Sequence, residues 1–206
     1  MTSESPGGAA CQQQDIVDLE TRSWLPRHCR GDGSAFPKLM QAYRAPVYSY
    51  LTRCGLDRDV RDDLFQDIFL KIHKAAASYQ PAKPLRPWIF TIAANTVRNY
   101  LRSESGRPTA SLDQGTSEHR DPAADTETHT ELHGLLDWLE QAIAGLPFKQ
   151  REVLLLTAVE GLRQNEAAEA LQIPLNTVKT HLRRARLTLV QALARRNGED
   201  DAGVTP

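Results

Sequence analysis

Apolar residues recur every three or four positions over most of this chain, which is the spacing that lines one face of an α-helix. The pattern predicts helices over residues 34–54, 57–78, 87–105, 131–146 and 149–160, followed by a helical pair over 161–196. Gly55 and Pro147 lie at two of the breaks, where a helix is expected to stop. The sequence therefore predicts an all-α protein.

The last helical stretch, from Gly161 to Arg196, is typical of two helices joined by a tight turn. The predicted apolar faces consist of Ala167, Ala168 and Leu171 on the first helix and of Val178, Leu182, Leu187, Leu189 and Val190 on the second. The segment 172–174 is expected to end the first helix, and Asn176 or Thr177 to cap the second.

The second helix of this pair is strongly basic. Its cationic residues, with no acidic residue among them, are Lys179, Arg183, Arg184, Arg186, Arg195 and Arg196. This one-sided charge is informative because the whole chain has a formal net charge of -1. The pair is typical of a helix-turn-helix whose second helix enters the major groove of DNA. The alternative is an ordinary helical hairpin whose basic face is only solvated.

A second informative helix spans 57–78 and is acidic on much of its surface. Leu64, Ile68 and Ile72 lie on one stripe, which leaves Asp62, Asp63, Gln66, Asp67 and Phe69 largely on other faces. An acidic face with an apolar residue in it is a plausible docking surface for a basic partner helix. The alternative is a hydrolase or nuclease that uses Asp62, Asp63 and Asp67, but no nucleophile, metal set or phosphate loop accompanies them.

The segment 79–84 contains two prolines and is predicted to be a loop. In the helix that follows, Asn95, Arg98, Asn99 and Arg102 are expected to lie beside one another on a polar face. Amides and arginines near aromatic residues suit single-stranded DNA, whose bases can be stacked and read on their edges. Trp88 is expected to be a core residue rather than a platform for base stacking.

Composition divides the chain into two small helical domains. Residues 1–14 and 106–130 are polar and are predicted to be a disordered leader and a flexible acidic linker. The domains are thus predicted at 15–105 and 131–196, with a tail at 197–206. No segment is long and apolar enough to span a membrane, and the N-terminus lacks a secretory signal pattern, so a cytoplasmic protein is expected.

Cysteine and histidine spacing gives no support for a metal site or a cofactor. Cys11, Cys29 and Cys54 are widely spaced and form neither a disulfide framework nor a zinc knuckle. His129 and His133 would share one face of a helix, but no third ligand lies near them in the sequence. Ordinary surface histidines are the default interpretation.

Four motifs together resemble a known family. DDLFQDIFLKIHK, PWIFTIAANTVRNYLR, LPFKQREVLLL and GLRQNEAAEALQIPLNTVKTHLRRAR resemble, in that order and spacing, the bacterial sigma factors of the extracytoplasmic-function (ECF) group of the sigma-70 family. The resemblance covers the chain from Asp15 to Ala194. Four motifs in the right order are far more specific than one helix-turn-helix.

The resemblance implies roles for individual residues. Matching the helix by which the family grips the coiled coil of the RNA polymerase β′ subunit are Asp62, Asp63, Leu64, Gln66, Asp67, Phe69 and Leu70. Matching the loop and helix that capture and read the promoter −10 element are Tyr79, Gln80, Pro81, Ala82, Lys83, Asn95, Arg98 and Asn99. Matching the recognition helix for the −35 element are Thr177, Lys179, Thr180, His181, Arg183, Arg184 and Arg186.

The resemblance also implies the partners. These are core RNA polymerase, through its β′ coiled coil and β flap, promoter DNA, and an anti-sigma factor, with no small-molecule substrate, cofactor or catalytic residue. The competing hypothesis is a stand-alone helix-turn-helix regulator that never docks on polymerase. It accounts for residues 161–186 but gives residues 57–102 no role.

Overall fold

The computed structural model describes residues 21–105 and 127–202, and this described part contains helices but no strand. The N-terminal unit consists of α1 (Trp24–Cys29), α2 (Ala35–Arg53), α3 (Arg58–Ala75) and α4 (Leu85–Ser105). The C-terminal unit consists of α5 (Glu127–Ala144), α6 (Phe148–Leu154), α7 (Gln164–Leu171) and α8 (Leu175–Ala202). A 3-10 turn at Ala76–Ser78 follows α3, and a π-helical turn at Leu155–Val159 follows α6. The prediction of an all-α protein is confirmed.

In the N-terminal unit, α2, α3 and α4 pack through apolar faces with the predicted helical spacing. Ile68 and Ile72 of α3 and Ile89 of α4 are completely buried. Tyr50 of α2 packs edge-on against Phe90 of α4, with 5.7 Å between the ring centroids. Such large buried side chains contribute most of the hydrophobic stabilisation of a small helical unit.

The helix-turn-helix is present as predicted, with different details in its turn. Gln172 ends α7 in the left-handed conformation, at φ 52°, and the backbone NH of Ile173 donates to the carbonyl of Ala168. The next helix begins at Leu175, so Asn176 and Thr177 lie in its first turn and the predicted capping role is wrong for both. The amides of Thr177 and Val178 donate instead to the carbonyl of Pro174.

The apolar face predicted for α8 is too wide. Val178, Leu182 and Ala185 are buried and pack against the rest of the unit. Leu187 and Val190 were predicted on the same face, but Val190 is 63% exposed and Leu187 is nearly half exposed. Leu189 is partly buried against the core, so along the later turns of α8 only part of the predicted face is covered.

The predicted boundaries shift at three places. The C-terminal unit starts at Glu127, so the last residues of the predicted linker, 127–130, are helical. At the other end α8 continues to Ala202, past the predicted boundary at 196. The helix predicted over 149–160 becomes π-helical from Leu155. The predicted leader 1–14, residues 106–126 of the linker and residues 203–206 of the tail lie outside the described residues.

The two units pack directly on one another, and their buried apolar residues form one continuous cluster. The main contact is between α4 of the N-terminal unit and α7 of the C-terminal unit. Of the helices in the described ranges, none is long and apolar enough to cross a membrane.

Candidate nucleic-acid and polymerase interfaces

The outer face of α3 presents the predicted acidic surface. Asp62, Asp63 and Gln66 are exposed, and Leu70 is 50% exposed beside them. The Tyr48 hydroxyl donates to Asp62 Oδ1 at 3.1 Å. A half-buried Asp67 pairs with Lys71 one turn later, at 2.7 Å between Oδ2 and Nζ. An exposed leucine among carboxylates is an arrangement suited to a basic helix with an apolar stripe.

Two members of the predicted polymerase-binding set do not lie on this surface. Leu64 is buried, and Phe69 is only 3% exposed and packs against Phe65 at 4.8 Å between centroids. The reason is that α3 packs against both α2 and α4, so its buried face is wider than the stripe through Ile68. Both side chains therefore position the helix rather than present a contact surface.

The predicted base-capture loop is anchored at its first residue. Tyr79 is buried, its ring packs against Trp88 at 5.3 Å, and its hydroxyl donates to the carbonyl of Lys83 at 2.7 Å. The backbone NH of Lys83 also donates to the carbonyl of Gln80 at 2.9 Å. The side chains of residues 80–83 are exposed. Trp88 is half-buried and supports this loop, so its role includes core packing, as expected.

One face of α4 forms an open groove with α3, of about 400 Å³. The groove is lined by Lys71, Lys74, Ala75, Ile92, Asn95, Thr96 and Asn99. Lys71 Nζ donates to the Thr96 hydroxyl at 3.1 Å, which ties the two helices together across it. Two ammonium groups beside two amides over an apolar floor can hold a base and its phosphate. The two lysines lie on the helix assigned to polymerase, so the sequence pattern did not reveal them as part of this groove.

Arg98 does not lie with Asn95 and Asn99, although the polar face predicted for α4 included all three. Its Nε donates to Glu152 Oε1 at 2.9 Å and its Nη2 to Glu152 Oε2 at 2.9 Å. Its Nη1 donates to the backbone carbonyl of Leu171, at the end of α7. Asn95 comes three residues before Arg98 and Asn99 comes directly after it. At this spacing the two asparagines lie close together on the helix surface, and Arg98 lies to one side of them.

A second arginine of α4 makes a similar contact to the C-terminal unit. Arg86 Nη2 donates to Glu160 Oε2 at 2.6 Å, and Arg86 Nε donates to the Glu160 carbonyl at 2.7 Å. In the reverse direction, Arg151 of α6 donates from Nη1 to the Cys54 carbonyl at 3.3 Å. The two units are therefore joined by charged groups as well as by apolar packing.

The two carboxylates in these contacts are unusual because both are almost fully buried. Glu152 is 1% exposed and Glu160 is 3% exposed. Burial raises the pKa of both carboxyl groups above the ordinary value of 4.5, and the neighbouring Arg98 and Arg86 only partly oppose this shift. Glutamate is rarely buried unless it is paired. The helical pattern alone gave no sign of these pairs, since their partners lie 54 and 74 positions away.

The recognition helix presents its predicted contact residues to solvent. Exposed on its surface are Lys179, Thr180, Arg183, Arg184 and Arg186, while Thr177 and His181 are half-buried. Burial lowers the pKa of His181 below its ordinary value, and the nearby charges of Arg184 and Lys149 lower it further. The Thr180 hydroxyl donates to the Asn176 carbonyl at 2.8 Å, which leaves its lone pairs free to accept. Between α7 and α8, Arg163, Lys179 and Arg186 border a cleft of about 480 Å³.

The C-terminal unit also exposes an apolar surface that sequence reasoning missed, because its leucines were assigned to a buried face. The large exposed side chains are Leu135, Leu136 and Leu139 on α5 and Leu187, Val190 and Leu193 on α8. The guanidinium of Arg196 lies 5.5 Å from the Trp138 ring centroid, which brings the two helices together. Exposed apolar patches of this kind mark protein-binding surfaces.

Histidine, cysteine and acidic residues form no group of three or more that could hold a metal ion in the ranges that the structure covers. His28 and His73 share a hydrogen bond of 3.0 Å between Nε2 and Nδ1. Cys29 is exposed and Cys54 is buried, where burial raises the pKa of the Cys54 thiol to about 12. Cys11 and the side chains of His129 and His133 lie outside the described residues.

A helix-turn-helix with an exposed basic recognition helix, joined in one chain to a helical unit with a lysine and amide groove, defines an all-α DNA-binding protein. Models of two families match the chain, Sigma-70 region 2 over residues 39–107 and Sigma-70 region 4 over residues 136–189. The chain belongs to the sigma-70 family, in its ECF group, and is an alternative sigma factor that binds RNA polymerase for transcription initiation. The family consists of initiation factors rather than known enzymes.

Relatives match over nearly their whole length. The ECF RNA polymerase sigma-E factor of Escherichia coli K12 is 30% identical over 177 residues, which are 81% of this chain and 92% of that protein. The RNA polymerase sigma-H factor of Pseudomonas aeruginosa is 29% identical over 185 residues, which are 86% of this chain and 96% of that protein.

Two solved structures share the fold. CnrH, in complex with the cytosolic domain of CnrY, matches with a TM-score of 0.61 and 24% identity, over 85% of this chain and 97% of its own. The sigma factor RpoE, in complex with the anti-sigma factor NepR from Bartonella quintana, matches with a TM-score of 0.60 and 22% identity, over 77% of this chain and 96% of its own.

Proposed function

We propose that this sigma factor grips a promoter at two points, with the C-terminal unit on the −35 element and the N-terminal unit on the −10 element. The observation that supports this proposal is that each unit exposes its own set of cationic and polar side chains. One is the recognition helix α8 and the other is the groove between α3 and α4. Because the two surfaces lie on separate units joined by a linker, promoter choice combines both elements.

The C-terminal unit reads duplex DNA through α8. Lys179, Arg183 and Arg184 are exposed, and no described carboxylate pairs with them. An arginine can donate two hydrogen bonds to guanine, and Thr180 can accept from a base edge or touch a thymine methyl group. Arg186 and His181 lie where phosphates would pass, as does Thr177 at the start of the helix.

The N-terminal unit holds the opened −10 strand. Asn95 and Asn99 can pair with adenine edges, and Lys74 supplies a cation that single-stranded DNA requires, while Lys71 is paired with Asp67. The exposed residues 80–83 of the loop contact a flipped base, while Tyr79 holds the loop in place. Unstacking a base costs a few kcal/mol, and its capture offsets part of that cost.

Two surfaces bind core polymerase. The exposed acidic face of α3, with Asp62, Asp63, Gln66, Asp67 and Leu70, takes the β′ coiled coil. The exposed apolar surface of α5 and α8 takes the β flap, since apolar side chains left in water gain free energy when a partner covers them. Binding of RNA polymerase follows from family membership, and the assignment of the β′ coiled coil and the β flap to these residues is our proposal.

An anti-sigma factor is a further proposed partner. RpoE of Bartonella quintana is seen with such a factor, and CnrH is seen with the cytosolic domain of CnrY. By analogy, a partner of this kind would cover the same two polymerase surfaces here. The proposed place of action is the cytoplasm, where polymerase and promoter DNA are found.

The decisive experiment is run-off transcription with purified core polymerase and a promoter recovered from in vitro selection. The wild-type chain should give a discrete transcript that core polymerase alone does not give. Asp67→Lys should weaken core binding and the transcript, because it reverses one charge of the acidic face and leaves duplex binding through α8 unchanged. Asp59→Lys is the matched control, since Asp59 is also exposed on α3 but lies outside the proposed contact set.

A stand-alone helix-turn-helix regulator would give a different result. It would bind duplex DNA with or without polymerase, and it would give no promoter-dependent transcript. Equal transcription by the wild type and Asp67→Lys would remove the acidic face from the polymerase interface. Loss of duplex binding in Asp67→Lys would instead indicate misfolding.

A further inference from the structure

We propose that His28 and His73 form a binding site for a divalent transition-metal ion, such as Zn²⁺ or Ni²⁺, that joins the end of α1 to the end of α3. His28 lies in the last turn of α1 and His73 in the last turn of α3. The two residues are 45 positions apart, so no spacing motif in the sequence marks them as a pair. The site shares no residue with the surfaces proposed above to bind DNA and polymerase.

The distance between the two imidazoles fits a shared metal ion. His28 Nε2 and His73 Nδ1 lie 3.0 Å apart. Two nitrogens bound to one ion at about 2.0–2.1 Å are separated by about 2.9 Å at a right angle and by about 3.3 Å at the tetrahedral angle. The observed distance falls between these two values. Because the rings are inclined at 52° rather than stacked, rotation about their Cβ–Cγ bonds can turn both lone pairs towards one ion.

The hydrogen-bonded state and the metal-bound state use the same two nitrogens. A neutral imidazole carries one N–H and one lone pair, so one of the two facing nitrogens holds the shared proton. In the metal-bound state that ring carries its proton on its other nitrogen, and the ion takes the place of the shared proton. Both rings stay neutral, so the exchange needs no net loss of a proton.

Phe36 holds both imidazole rings in place. Its ring centroid lies 5.0 Å from that of His28 and 5.2 Å from that of His73, with an edge-on angle of 80° to the second ring. Ligands that are fixed by packing lose little freedom on binding, which favours affinity for the ion. His28 is half-buried and His73 is exposed, so water can complete the coordination of the ion.

The ligand set defines the class of ion. Imidazole nitrogen suits Zn²⁺, Ni²⁺ and Cu²⁺, whereas Mg²⁺ and Ca²⁺ prefer oxygen ligands. In the part of the chain that the structure describes, no third histidine, cysteine or carboxylate completes the pair. Two protein ligands with water define an exchangeable site rather than a closed structural site with four protein ligands. In addition, α3 ends two residues after His73, and the C-terminal end of a helix favours a nearby cation.

A bound ion adds a link that the protein otherwise lacks. The helix α1 packs mainly against α2 and against the 3-10 turn that follows α3. An ion held by His28 and His73 connects α1 to α3 itself. A ligand that binds the folded chain and not the unfolded chain raises the stability of the fold. The ion should therefore raise the melting temperature of the protein.

The test is isothermal titration calorimetry of the full, untagged chain with Zn²⁺ and with Ni²⁺, with Mg²⁺ as the control ion. The variants are His28→Gln and His73→Gln, each of which removes one ligand and keeps a polar side chain. His181→Gln is the matched control, since His181 is a half-buried histidine of the C-terminal unit. Two further controls, Cys29→Ser and the double variant His129→Gln with His133→Gln, remove other side chains able to bind these ions.

The expected result is one ion bound per chain and a higher melting temperature with Zn²⁺ or Ni²⁺, but not with Mg²⁺. Loss of an outer-shell partner of a metal ligand already lowers metal affinity about 10- to 100-fold, so each ligand variant should lower it at least about tenfold. All three controls should keep the affinity of the wild type. Absence of binding by the wild type would overturn the site, and so would binding that both ligand variants retain.

A measurement on the unmodified chain covers the case in which a ligand variant fails to fold. In NMR spectra of the imidazole rings, Zn²⁺ should shift the resonances of His28 and His73 and leave those of His181 in place. If the shifts are confined to other histidines, the ion binds elsewhere and the proposal is wrong, whatever the variants do.

Discussion

The recognition helix α8 and the helix α4 carry the two sets of residues proposed to contact DNA, and they differ in what else those residues contact. On α8, Lys179, Arg183 and Arg184 face solvent. On α4, Asn99 is similarly exposed, but Arg98 next to it is bound to a buried glutamate of the other unit. Arg98 and Asn99 were both predicted to contact the −10 element, but only Asn99 is exposed enough to do so in this arrangement of the chain.

This difference shows that a polar position on a helix is not by itself a binding position. An arginine can stabilise a domain contact and bind DNA, but the same N–H donors serve only one of these at a time. The recognition helix has no such conflict, so its affinity for DNA should depend on its own residues. The affinity of α4 for DNA should depend on the arrangement of the whole chain.

The largest effect is expected when the buried carboxylate of Glu152 is removed. Glu152→Ala should lower the free energy of unfolding by about 3 kcal/mol, because it leaves Arg98 partly buried without its partner. Asp63→Ala, on the exposed acidic face, should change it by less than about 0.5 kcal/mol. Urea denaturation followed by circular dichroism measures both. Equal effects would mean that Glu152 is not part of a stabilising contact.

Removal of a cation from the recognition helix should act on DNA binding alone. Arg184→Ala is expected to weaken duplex binding by about 1 to 3 kcal/mol if the guanidinium pairs with a base. Arg195→Ala is the control, as an exposed arginine of α8 outside the proposed reading set. Fluorescence anisotropy with a −35 duplex gives the affinities. An unchanged footprint over the −35 element in Arg184→Ala would exclude this residue from base reading.

A substitution on α4 with a smaller expected effect tests whether its groove face, with Asn99, acts independently of the face that carries Arg98. Asn99→Ala should weaken binding of the −10 strand by about 1 kcal/mol, since one amide pair with a base is lost. It should leave the radius of gyration unchanged, because Asn99 lies in the groove rather than in the contact between α4 and α7. Arg98→Gln should change both quantities. If Asn99→Ala also opens the chain, the two faces are not independent.

The smallest expected effect is a pH dependence that comes from the two buried carboxylates. Burial raises the pKa of Glu152 and Glu160 in the folded chain. A raised pKa means that the folded chain binds protons more tightly at these groups than the unfolded chain does. The contribution of these groups to stability is thus fully present below about pH 4.5 and is lost as the pH rises through their raised pKa values.

Denaturation profiles of the wild type and of the double variant Glu152→Gln with Glu160→Gln measure this effect. The difference between the two profiles should decline as the pH rises from 4.5, and groups common to both, such as His181, cancel. The pKa of Asp32 is lowered to about 2, chiefly by hydrogen bonds from Ser34, so its contribution is lost only as the pH falls below 3.8. A difference that increases with pH would contradict the assigned direction.

Much of the fold was predictable because it rests on local patterns. The helical spacing of residues such as Ile68 and Ile72 gave the N-terminal helices, and the break at Pro147 gave the end of a helix. The helix-turn-helix was predictable from the basic run after Lys179, which no acidic residue interrupts. These signals act within one or two turns of helix, where periodicity and capping preferences operate.

What the sequence did not reveal depends on packing between distant segments. Phe69 was predicted on the surface because the width of the buried face depends on how many helices pack against α3. Val190 was predicted in the core because nothing local shows where the covering elements stop. The pairing of Arg98 with Glu152 spans 54 positions, and no pattern within either helix specifies it.

The anchoring of the loop at Tyr79 has a consequence for how promoter preference can evolve. The tyrosine hydroxyl and the amide of Lys83 set the backbone of this loop, while the side chains of Gln80, Pro81 and Ala82 point to solvent. Because the loop backbone is held by these hydrogen bonds, the exposed side chains can be replaced without a loss of stability, as in other loops on rigid scaffolds. Substitutions at positions 80 and 82 should therefore create new promoter specificities one residue at a time, with the fold of the N-terminal unit unchanged.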